Sequence, residues 1–151
     1  MPHLTLHSPV GELTVFEEEG RIFALEWGRG CGTQDATPLL AAAKRQLEAY
    51  FDDPRSGFDL PLAPRGTGFQ KRVWQALREI PPGCTERYGA LAARLGSGAR
   101  AVASACGANP IPIIIPCHRV VGALSLGGYS GGQGPDTKRA LLAFEQGPAR
   151  H

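Results

Sequence analysis

Residues 109–121 read Asn109-Pro110-Ile111-Pro112-Ile113-Ile114-Ile115-Pro116-Cys117-His118-Arg119-Val120-Val121. Proline lacks a backbone N–H, and its ring clashes with the preceding turn of a helix, so this segment is predicted to be extended rather than helical. Its isoleucine and valine side chains are predicted to be buried. Cys117 is therefore predicted to follow a stiff, buried and extended stretch of backbone.

Cys117 differs from the other cysteines of the chain in its neighbours. His118 and Arg119 follow it directly, and cationic or proton-accepting groups nearby favour a thiolate. Adjacent side chains of an extended segment point to opposite faces, so a direct contact with His118 and a contact through water are both open. A carboxylate is expected to orient the imidazole. Glu145 is the candidate by pattern, and a solvated glutamate at a helix end is the alternative.

The other cysteines give no sign of a metal site or of disulfides. The chain has 4 cysteines, and no two of them have the Cys-x-x-Cys spacing of a zinc knuckle or a thioredoxin-like motif. No secretory signal precedes the first strand-like run, and no apolar stretch reaches the roughly 18 residues of a membrane span. We therefore expect a cytoplasmic protein with reduced thiols and no membrane contact.

Charge is unevenly distributed along the 151 residues, a length that supports one domain or two small lobes. The net charge of +2 argues against a histone-like nucleic-acid binder. Residues 1–64, however, carry a net charge of −5, residues 65–119 of +6, and residues 120–151 of +1. The basic block predicts a polyanion partner, with a solvated basic face as the alternative.

Residues 1–64 are predicted to form a small antiparallel meander followed by one helix. Residues 4–6, 13–16 and 22–25 are β-rich runs separated by turn-forming residues. Thr37 is the predicted N-cap of the helix, with Pro38 in its first turn. Apolar residues at helical spacing follow, namely Leu40, Ala43, Leu47 and Tyr50. Residues 58–66 contain two prolines and are predicted to be a linker with room for one short strand.

Residues 65–151 carry the pattern of a helix-turn-helix. A helix over residues 68–80, capped by Thr67, precedes two short helices around residues 88–95 and 99–106, which a tight turn at 96–98 joins. Ser97 is a possible N-cap of the second. Helix pairs that touch no DNA share this pattern. The second short helix nevertheless consists of small residues apart from Arg100, so its backbone can approach a partner closely. A Gly-rich loop at 127–132 and a helix over Asp136–Glu145 complete the chain.

Residues 109–121 closely resemble the active-site segment of the O6-alkylguanine-DNA alkyltransferases, also called methylated-DNA–protein-cysteine methyltransferases. Further matches cover residues 67–146, whereas residues 1–64 are compatible in length and pattern but carry no specific motif. These matches are Phe69-Gln70, Val73-Trp74, Ile80-Pro81, Gly83, Tyr88-Gly89, Leu91-Ala92, Arg100-Ala101-Val102, Gly128-Tyr129-Ser130-Gly131-Gly132, Lys138, Leu141-Leu142 and Glu145. The resemblance implies an α+β fold. A ribonuclease-H-like lobe of residues 1–64, with a small antiparallel sheet and a helix, would pack on a lobe of residues 65–151 with a winged-helix-like helix-turn-helix.

The resemblance also implies a role for each matching residue. Cys117 would accept the alkyl group, His118 would take its proton through water, and Glu145 would orient His118. Asn109 would brace the turn before the active-site segment. Tyr88 would help to rotate the phosphate and would hydrogen-bond the flipped guanine.

The substrate and DNA contacts follow from the same resemblance. Tyr129 would wall the pocket, the backbone of Ser130 would face the guanine O6, and Val120 and Lys138 would lie beside the substrate. Arg100 would fill the space that the flipped nucleotide leaves in the minor groove, where small side chains suit a close approach. The residues expected at the DNA are Arg100, Ala99, Ala101, Arg87 and Arg119.

These roles define a reaction and its partners. A base must leave the duplex before a thiolate can reach its O6-alkyl group, and the product is a thioether on the protein, so each molecule acts once. The expected partner is alkylated double-stranded DNA, the expected state is a monomer, and no metal or organic cofactor is implied. Some family members bind zinc in the N-terminal lobe, but His3, His7 and Cys31 are too sparse to predict such a site.

One of the departures from the family pattern lies just before Lys138. Residues 133–137 form a longer, proline-containing connection, which leaves the exact role of Lys138 open.

Three other functions compete with alkyl transfer. A non-catalytic lesion-binding relative would lack the acceptor cysteine, a cysteine hydrolase would turn over, and a helix-turn-helix regulator would bind a specific sequence without a reactive thiol.

Overall fold

The fold was analysed in a computed structural model that describes residues 2–30, 32, 34–122, 127, 129, 132 and 134–146. The chain opens with three antiparallel strands, β1 (His3–Ser8), β2 (Gly11–Glu18) and β3 (Arg21–Trp27), in the order β1-β2-β3. The predicted meander is confirmed. Alternate side chains of the sheet point into the core, where Leu6, Leu13 and Leu25 are buried.

Helix α1 (Pro38–Asp52) packs on the three-stranded sheet through its apolar stripe. The predicted start is confirmed, because the Thr37 hydroxyl accepts a hydrogen bond from the backbone N–H of Leu40 at 3.1 Å and Pro38 occupies the first turn. The predicted stripe is confirmed as well, and all of its members are buried, namely Leu40, Ala43, Leu47 and Tyr50.

The linker after α1 adds a single parallel bridge to the sheet. Leu62 pairs with Ile22 beside the β3 edge, through hydrogen bonds from Ile22 N to Pro61 O at 2.9 Å and from Ala63 N to Ile22 O at 2.8 Å. The short strand expected within residues 58–66 is therefore one bridge.

The helix-turn-helix is formed by α3 (Tyr88–Leu95) and α4 (Ala99–Gly107), which pack on each other, while α2 (Gly68–Leu77) packs on both. A capping box of Thr67 and Gln70 starts α2, as predicted for Thr67. Gly96 ends α3 with a positive φ of 66°, a conformation that glycine adopts without strain. The suggestion of Ser97 as N-cap is wrong, because Gly98 is the N-cap of α4 and no side chain caps it.

Two short strands bring the cysteine segment beside the helix-turn-helix. Strand β4 (Glu86–Arg87) directly precedes α3 and pairs in parallel with β5 (Val120–Val121), and α5 (Pro135–Gln146) packs on the residues just before β5. Together with the meander and five helices, this arrangement is an α+β fold. Among the described residues, no helix has the length and apolar character that crossing a bilayer requires.

The isoleucines of residues 109–121 and Val120 are buried as predicted, whereas Val121 is partly exposed, and the segment is not extended throughout. Ile113 has a φ of 74°, a left-handed value that β-branched residues rarely adopt. The surrounding turn is closed by a hydrogen bond from Ile115 N to Ile111 O at 2.9 Å. Residues Cys117–Arg119 then form one turn of 3-10 helix. The expectation of a continuous extended track is therefore wrong, because backbone and side-chain hydrogen bonds fold the segment into turns between its prolines.

Asn109 supplies the side-chain bonds that hold this turn. Its Oδ1 accepts from Ile111 N at 2.9 Å, and its Nδ2 donates to Ile115 O at 2.8 Å. One side chain thus pairs a donor and an acceptor on opposite sides of the strained Ile113. This geometry agrees with the bracing role expected for Asn109.

We expect Asn109→Ala to lower the free energy of unfolding by about 2 kcal/mol, because it leaves the buried backbone N–H of Ile111 without its partner and leaves the Ile115 carbonyl with the Cys117 N–H alone. Urea unfolding monitored by tryptophan fluorescence measures the loss. Asn109→Asp retains the acceptor for Ile111 N but places a carboxylate oxygen against the Ile115 carbonyl, so it should not recover the stability of the parent. An Ala variant within about 0.5 kcal/mol of the parent, as for an ordinary surface substitution, would contradict this account of the turn.

Candidate active site

Cys117 lies at the base of a pocket between the sheet and the helix-turn-helix. The pocket has a volume of about 480 Å³, and the cysteine is 6% exposed. Trp27, Cys106 and Tyr129 line it together with Cys117, and the Tyr129 ring meets Trp27 edge to face at 6.1 Å between centroids. A larger cavity of about 720 Å³ lies between β2, β3 and α2 and does not include the cysteine.

The carboxylate of Glu145 is the centre of a buried hydrogen-bond network behind Cys117. Glu145 lies near the end of α5, and its Oε2 is 2.6 Å from His118 Nε2. The Arg119 guanidinium donates to both carboxylate oxygens, from Nε to Oε1 at 2.9 Å and from Nη2 to Oε2 at 2.9 Å. Tyr50 of α1 donates its hydroxyl to Oε2. The three elements that carry these side chains therefore meet at one carboxylate.

This network keeps Glu145 ionised. Burial alone would raise its pKa, but the hydrogen bonds from His118 and Arg119 outweigh burial and lower the pKa to about 2. A buried carboxylate without partners would instead be protonated or would destabilise the fold. Glu145 is thus a fixed negative charge against the imidazole of His118.

His118 is held as a neutral imidazole with one defined tautomer. Burial lowers its pKa, and the positive charges of Arg119 and Lys138 act in the same direction, against the stabilising contact with Glu145. Because an ionised carboxylate only accepts hydrogen bonds, Nε2 must carry the proton that points at Glu145. Nδ1 then keeps its lone pair, and it has no hydrogen-bond partner among the described residues. Nδ1 of His118 can therefore act as a base, and His118 directly follows Cys117 in the chain.

The Cys117 thiol is protonated in this environment. Burial raises its pKa, and a hydrogen bond with the Asn109 side chain and the charge of Lys138 only partly oppose that rise. The nucleophile is therefore formed when a base takes the thiol proton, rather than being a standing thiolate. Cys106, at the end of α4, is a second thiol on the same pocket, and burial raises its pKa to about 12.

Lys138 connects the helix-turn-helix to the cysteine segment. Its Nζ donates to the carbonyl of Val120 at 2.6 Å and to the hydroxyl of Tyr88 at 3.2 Å. Because the Tyr88 oxygen accepts from Lys138, the phenol proton is left to point elsewhere, and burial raises the Tyr88 pKa to about 12. Val120 is fully buried, and its carbonyl oxygen is already occupied by the hydrogen bond from Lys138.

The face of α4 that points to solvent is made of small side chains and one arginine. Ala99, Arg100 and Ala101 are exposed at its start, whereas Val102 and Ala105 pack inward. This agrees with the expectation that the helix can approach a partner closely. Arg87, just before α3, is exposed as well.

The expectation that Arg119 contacts DNA is wrong. Arg119 is 6% exposed, and its guanidinium is committed to Glu145 and to the carbonyl of Ile80, which accepts from Nη1 at 2.6 Å. Two further members of the basic block, Arg65 and Arg94, pair with glutamates. The surface of residues 65–119 therefore carries less unpaired positive charge than their net charge of +6 suggests. Ser130 and Cys31 lie outside the described residues.

Sequence reasoning missed the part that Tyr50, Trp27 and Cys106 have in the site. The spacing of Tyr50 is that of the apolar stripe of α1, and this spacing alone predicts a core residue. A tyrosine in a fully buried stripe position was the available signal, since a buried phenol needs a hydrogen-bond partner. As for metals, the described residues contain no group of three or more His, Cys, Asp or Glu side chains that could hold an ion.

Comparison with known proteins places the whole chain in one group. A family model described as "6-O-methylguanine DNA methyltransferase, DNA binding domain" matches residues 68–147, and one described as "6-O-methylguanine DNA methyltransferase, ribonuclease-like domain" matches residues 1–64. The constitutive methylated-DNA–protein-cysteine methyltransferase of Bacillus subtilis is 42% identical over 157 residues, covering 95% of this chain and 94% of that protein.

An archaeal relative and a solved structure agree with these matches. The methylated-DNA–protein-cysteine methyltransferase of Methanosarcina barkeri is 51% identical over 155 residues, covering 96% of this chain and 97% of that protein. The crystal structure of Mycobacterium tuberculosis OGT in complex with DNA superposes with a TM-score of 0.85 at 44% identity, covering 97% of this chain and 93% of that one. On these matches, the chain belongs to the 6-O-methylguanine DNA methyltransferase family.

Proposed function

We propose that this protein repairs DNA by transferring the alkyl group of O6-alkylguanine, above all O6-methylguanine, to its own Cys117. The observation that carries the proposal is the pocket with Cys117 at its base and the His118–Glu145 pair behind it. The relatives named methylated-DNA–protein-cysteine methyltransferases support the same reaction. A hydrolase and a plain regulator fit less well, because neither needs a thiol and a DNA-binding helix pair at one pocket.

The proposed partner is double-stranded DNA bound through α4 in the minor groove. Cys117 is almost fully buried, so a base inside the duplex cannot reach it, and the damaged nucleotide must rotate out of the stack. The small exposed residues Ala99 and Ala101 allow a close approach of the helix backbone, and Arg100 is long enough to occupy the vacated space. Arg87 adds a contact to phosphate. Residues 1–64 form the support lobe and residues 65–151 the DNA-binding and acceptor lobe.

The transfer step moves one proton and one alkyl group. The thiol proton of Cys117 passes to Nδ1 of His118, directly or through water, and Glu145 stabilises the imidazolium that forms. The Cys117 sulfur then attacks the alkyl carbon, a carbon–sulfur bond forms, and the bond from that carbon to guanine O6 breaks. The electron pair of the broken bond stays on guanine, which takes up one proton while His118 gives up the one that it received, so the net reaction exchanges the thiol proton for the alkyl group.

Tyr88 is the proposed donor to the leaving guanine. Its hydroxyl oxygen accepts from Lys138 Nζ, so its proton is available for the developing negative charge on the base. This gives Lys138 a defined role: it orients Tyr88 and at the same time ties it to the Val120 carbonyl of the cysteine segment. Tyr129 walls the pocket.

The proposed reaction consumes the protein. A dialkyl thioether has no group that water displaces readily, so Cys117 stays alkylated after one transfer. The alkyl group comes from the DNA and the acceptor is a side chain, so the reaction requires no cofactor. We propose a monomer that acts in the cytoplasm.

Incubation with duplex DNA containing O6-methylguanine should add one methyl group per protein molecule, located on Cys117. Intact-protein and peptide mass spectrometry measure the stoichiometry and the site. Cys117→Ala should transfer nothing, and Cys84→Ala, which removes an exposed cysteine, should transfer as the parent does. Turnover beyond one methyl per molecule, or methyl on another residue, would contradict the proposal.

Arg100→Ala should slow the repair of duplex DNA far more than the reaction with free O6-benzylguanine, because only the duplex requires extrusion of a base. We expect a loss of roughly 10-fold or more on duplex DNA, the factor that corresponds to about 1.4 kcal/mol. Arg45→Ala removes the same charge from the exposed surface of α1 and is the matched control. Equal losses of rate on duplex DNA and on free O6-benzylguanine would contradict a role of Arg100 in base extrusion.

Tyr88→Phe should slow transfer to both substrates by roughly 100-fold, the usual cost of removing one donor to a developing oxyanion. Lys138→Met should slow it through the same hydrogen bond, so the double variant should be little slower than Tyr88→Phe alone. The measurement is a double-mutant cycle: the single-turnover rates of the parent, the two single variants and the double variant are compared. Fully multiplicative effects would mean that Lys138 does not act through Tyr88.

A further inference from the structure

We propose that Tyr50 is a positioning residue for alkyl transfer: by hydrogen-bonding Glu145, it keeps His118 neutral and able to accept the proton of Cys117. The inference rests on the proposed function and extends it to residues 1–64. It gives that part of the chain a role in the chemistry beyond support. Of the side chains in the described part of residues 1–64, that of Tyr50 is the one hydrogen-bonded to this carboxylate.

The position of the Tyr50 phenol is fixed by its surroundings. Tyr50 is fully buried on α1, and 95 residues of chain separate it from Glu145. Its ring contacts three phenylalanines, with centroid distances of 5.0 Å to Phe51, 5.6 Å to Phe58 and 5.6 Å to Phe144. Phe144 precedes Glu145 directly, so the aromatic cluster aligns α1 with the end of α5.

The direction of the Tyr50 hydrogen bond is determined by charge. Burial raises the pKa of the phenol, and the neighbouring charge of Glu145 raises it further. The phenol is therefore protonated at every pH at which the protein functions, and it donates to a carboxylate that can only accept. Glu145 Oε2 consequently shares its charge between Tyr50, Arg119 and His118.

Sharing of this charge controls the protonation of His118. A carboxylate that accepts several hydrogen bonds is a weaker base and stabilises a neighbouring imidazolium less. If His118 were protonated before the reaction, its Nδ1 would carry a proton and could not receive the one from Cys117. Loss of the Tyr50 hydroxyl therefore favours the imidazolium and leaves less of the protein with a free base.

The other charged groups that face His118 also shift its protonation equilibrium. Arg119 and Lys138 disfavour the imidazolium, and Glu145 favours it. The titratable and charged groups around His118 and Glu145 come from α1, the 3-10 turn, the loop before α5, and α5 itself, and they are Tyr50, Cys117, Arg119, Tyr129 and Lys138. Tyr50 and Tyr129 can each be changed to phenylalanine without a change of charge, and of these two Tyr50 is the one that hydrogen-bonds Glu145.

The first measurement is the pH profile of single-turnover transfer from O6-benzylguanine by the parent and Tyr50→Phe. The acid limb of the Tyr50→Phe profile should move to higher pH, while the rate on its alkaline plateau stays close to that of the parent. A displacement of half a pH unit lowers the rate on the acid limb roughly 3-fold. The matched control is Phe51→Leu, which disturbs packing next to Tyr50 but retains the phenol. Its acid limb should coincide with that of the parent even if the variant is less stable.

The second measurement needs no alkyl transfer. NMR titration of the His118 ring in the free protein, identified by the signal that His118→Gln lacks, reports the charge of the imidazole directly. The His118 ring of Tyr50→Phe should titrate at higher pH than that of the parent. Incorporation of 3-fluorotyrosine at position 50 makes the phenol a stronger donor and should move the titration to lower pH. This third protein decides the matter if Tyr50→Phe does not fold.

The outcomes separate this inference from the proposed function. Identical His118 titrations in the parent and in the folded position-50 proteins would overturn the positioning role of Tyr50, even if alkyl transfer to Cys117 proceeds. A shifted acid limb in Phe51→Leu equal to that of Tyr50→Phe would overturn it too, because the effect would then come from packing. A His118 titration that is shifted in Tyr50→Phe relative to the parent, together with a parent that transfers no alkyl group, would contradict the proposed function alone.

Discussion

The buried carboxylate of Glu145 is the constraint on which the rest of the site depends. A charge taken out of water costs several kcal/mol unless partners in good geometry compensate for it. Here the partners come from two separate elements, Tyr50 from α1 and His118 and Arg119 from the 3-10 turn, while the carboxylate itself belongs to a third element, α5. The fold can satisfy Glu145 only by bringing these elements together, and Cys117 is next to His118 in the chain. The same interaction therefore holds the helices in place and sets the position of the nucleophile.

The electrostatics of the site match a reaction that occurs once. Burial keeps Cys117 a thiol at rest, so the protein does not carry a standing thiolate that any electrophile could consume. His118 remains neutral because its desolvation and the nearby cations outweigh the contact with Glu145. The base and the nucleophile are thus both uncharged until a substrate fills the pocket, and Lys138 keeps Tyr88 ready for the charge that develops on the guanine.

The sequence predicts the elements of this fold well and their long-range contacts less well. Helical spacing and capping residues locate α1 and α2, because these signals are local. The burial of residues 109–121 was predicted, but their turns were not, since a left-handed Ile113 runs against the preference of that residue. The resemblance places Arg119 at the DNA, because nothing in the neighbouring sequence reveals a carboxylate from α5. Glu145 itself was assigned by resemblance, and the residues alone left a solvated glutamate open. The Tyr50 contact spans 95 residues and has no local signature.

The central claim is that Glu145 fixes His118 as a neutral imidazole that is protonated on Nε2, with Nδ1 as the base for Cys117. The ¹⁵N chemical shifts of the His118 ring near pH 7 measure this directly, because protonated and unprotonated ring nitrogens resonate far apart. The account predicts a pyrrole-like shift for Nε2 and a pyridine-like shift for Nδ1. A ring protonated on Nδ1 at this pH, whether as the other neutral tautomer or as the imidazolium, would contradict it.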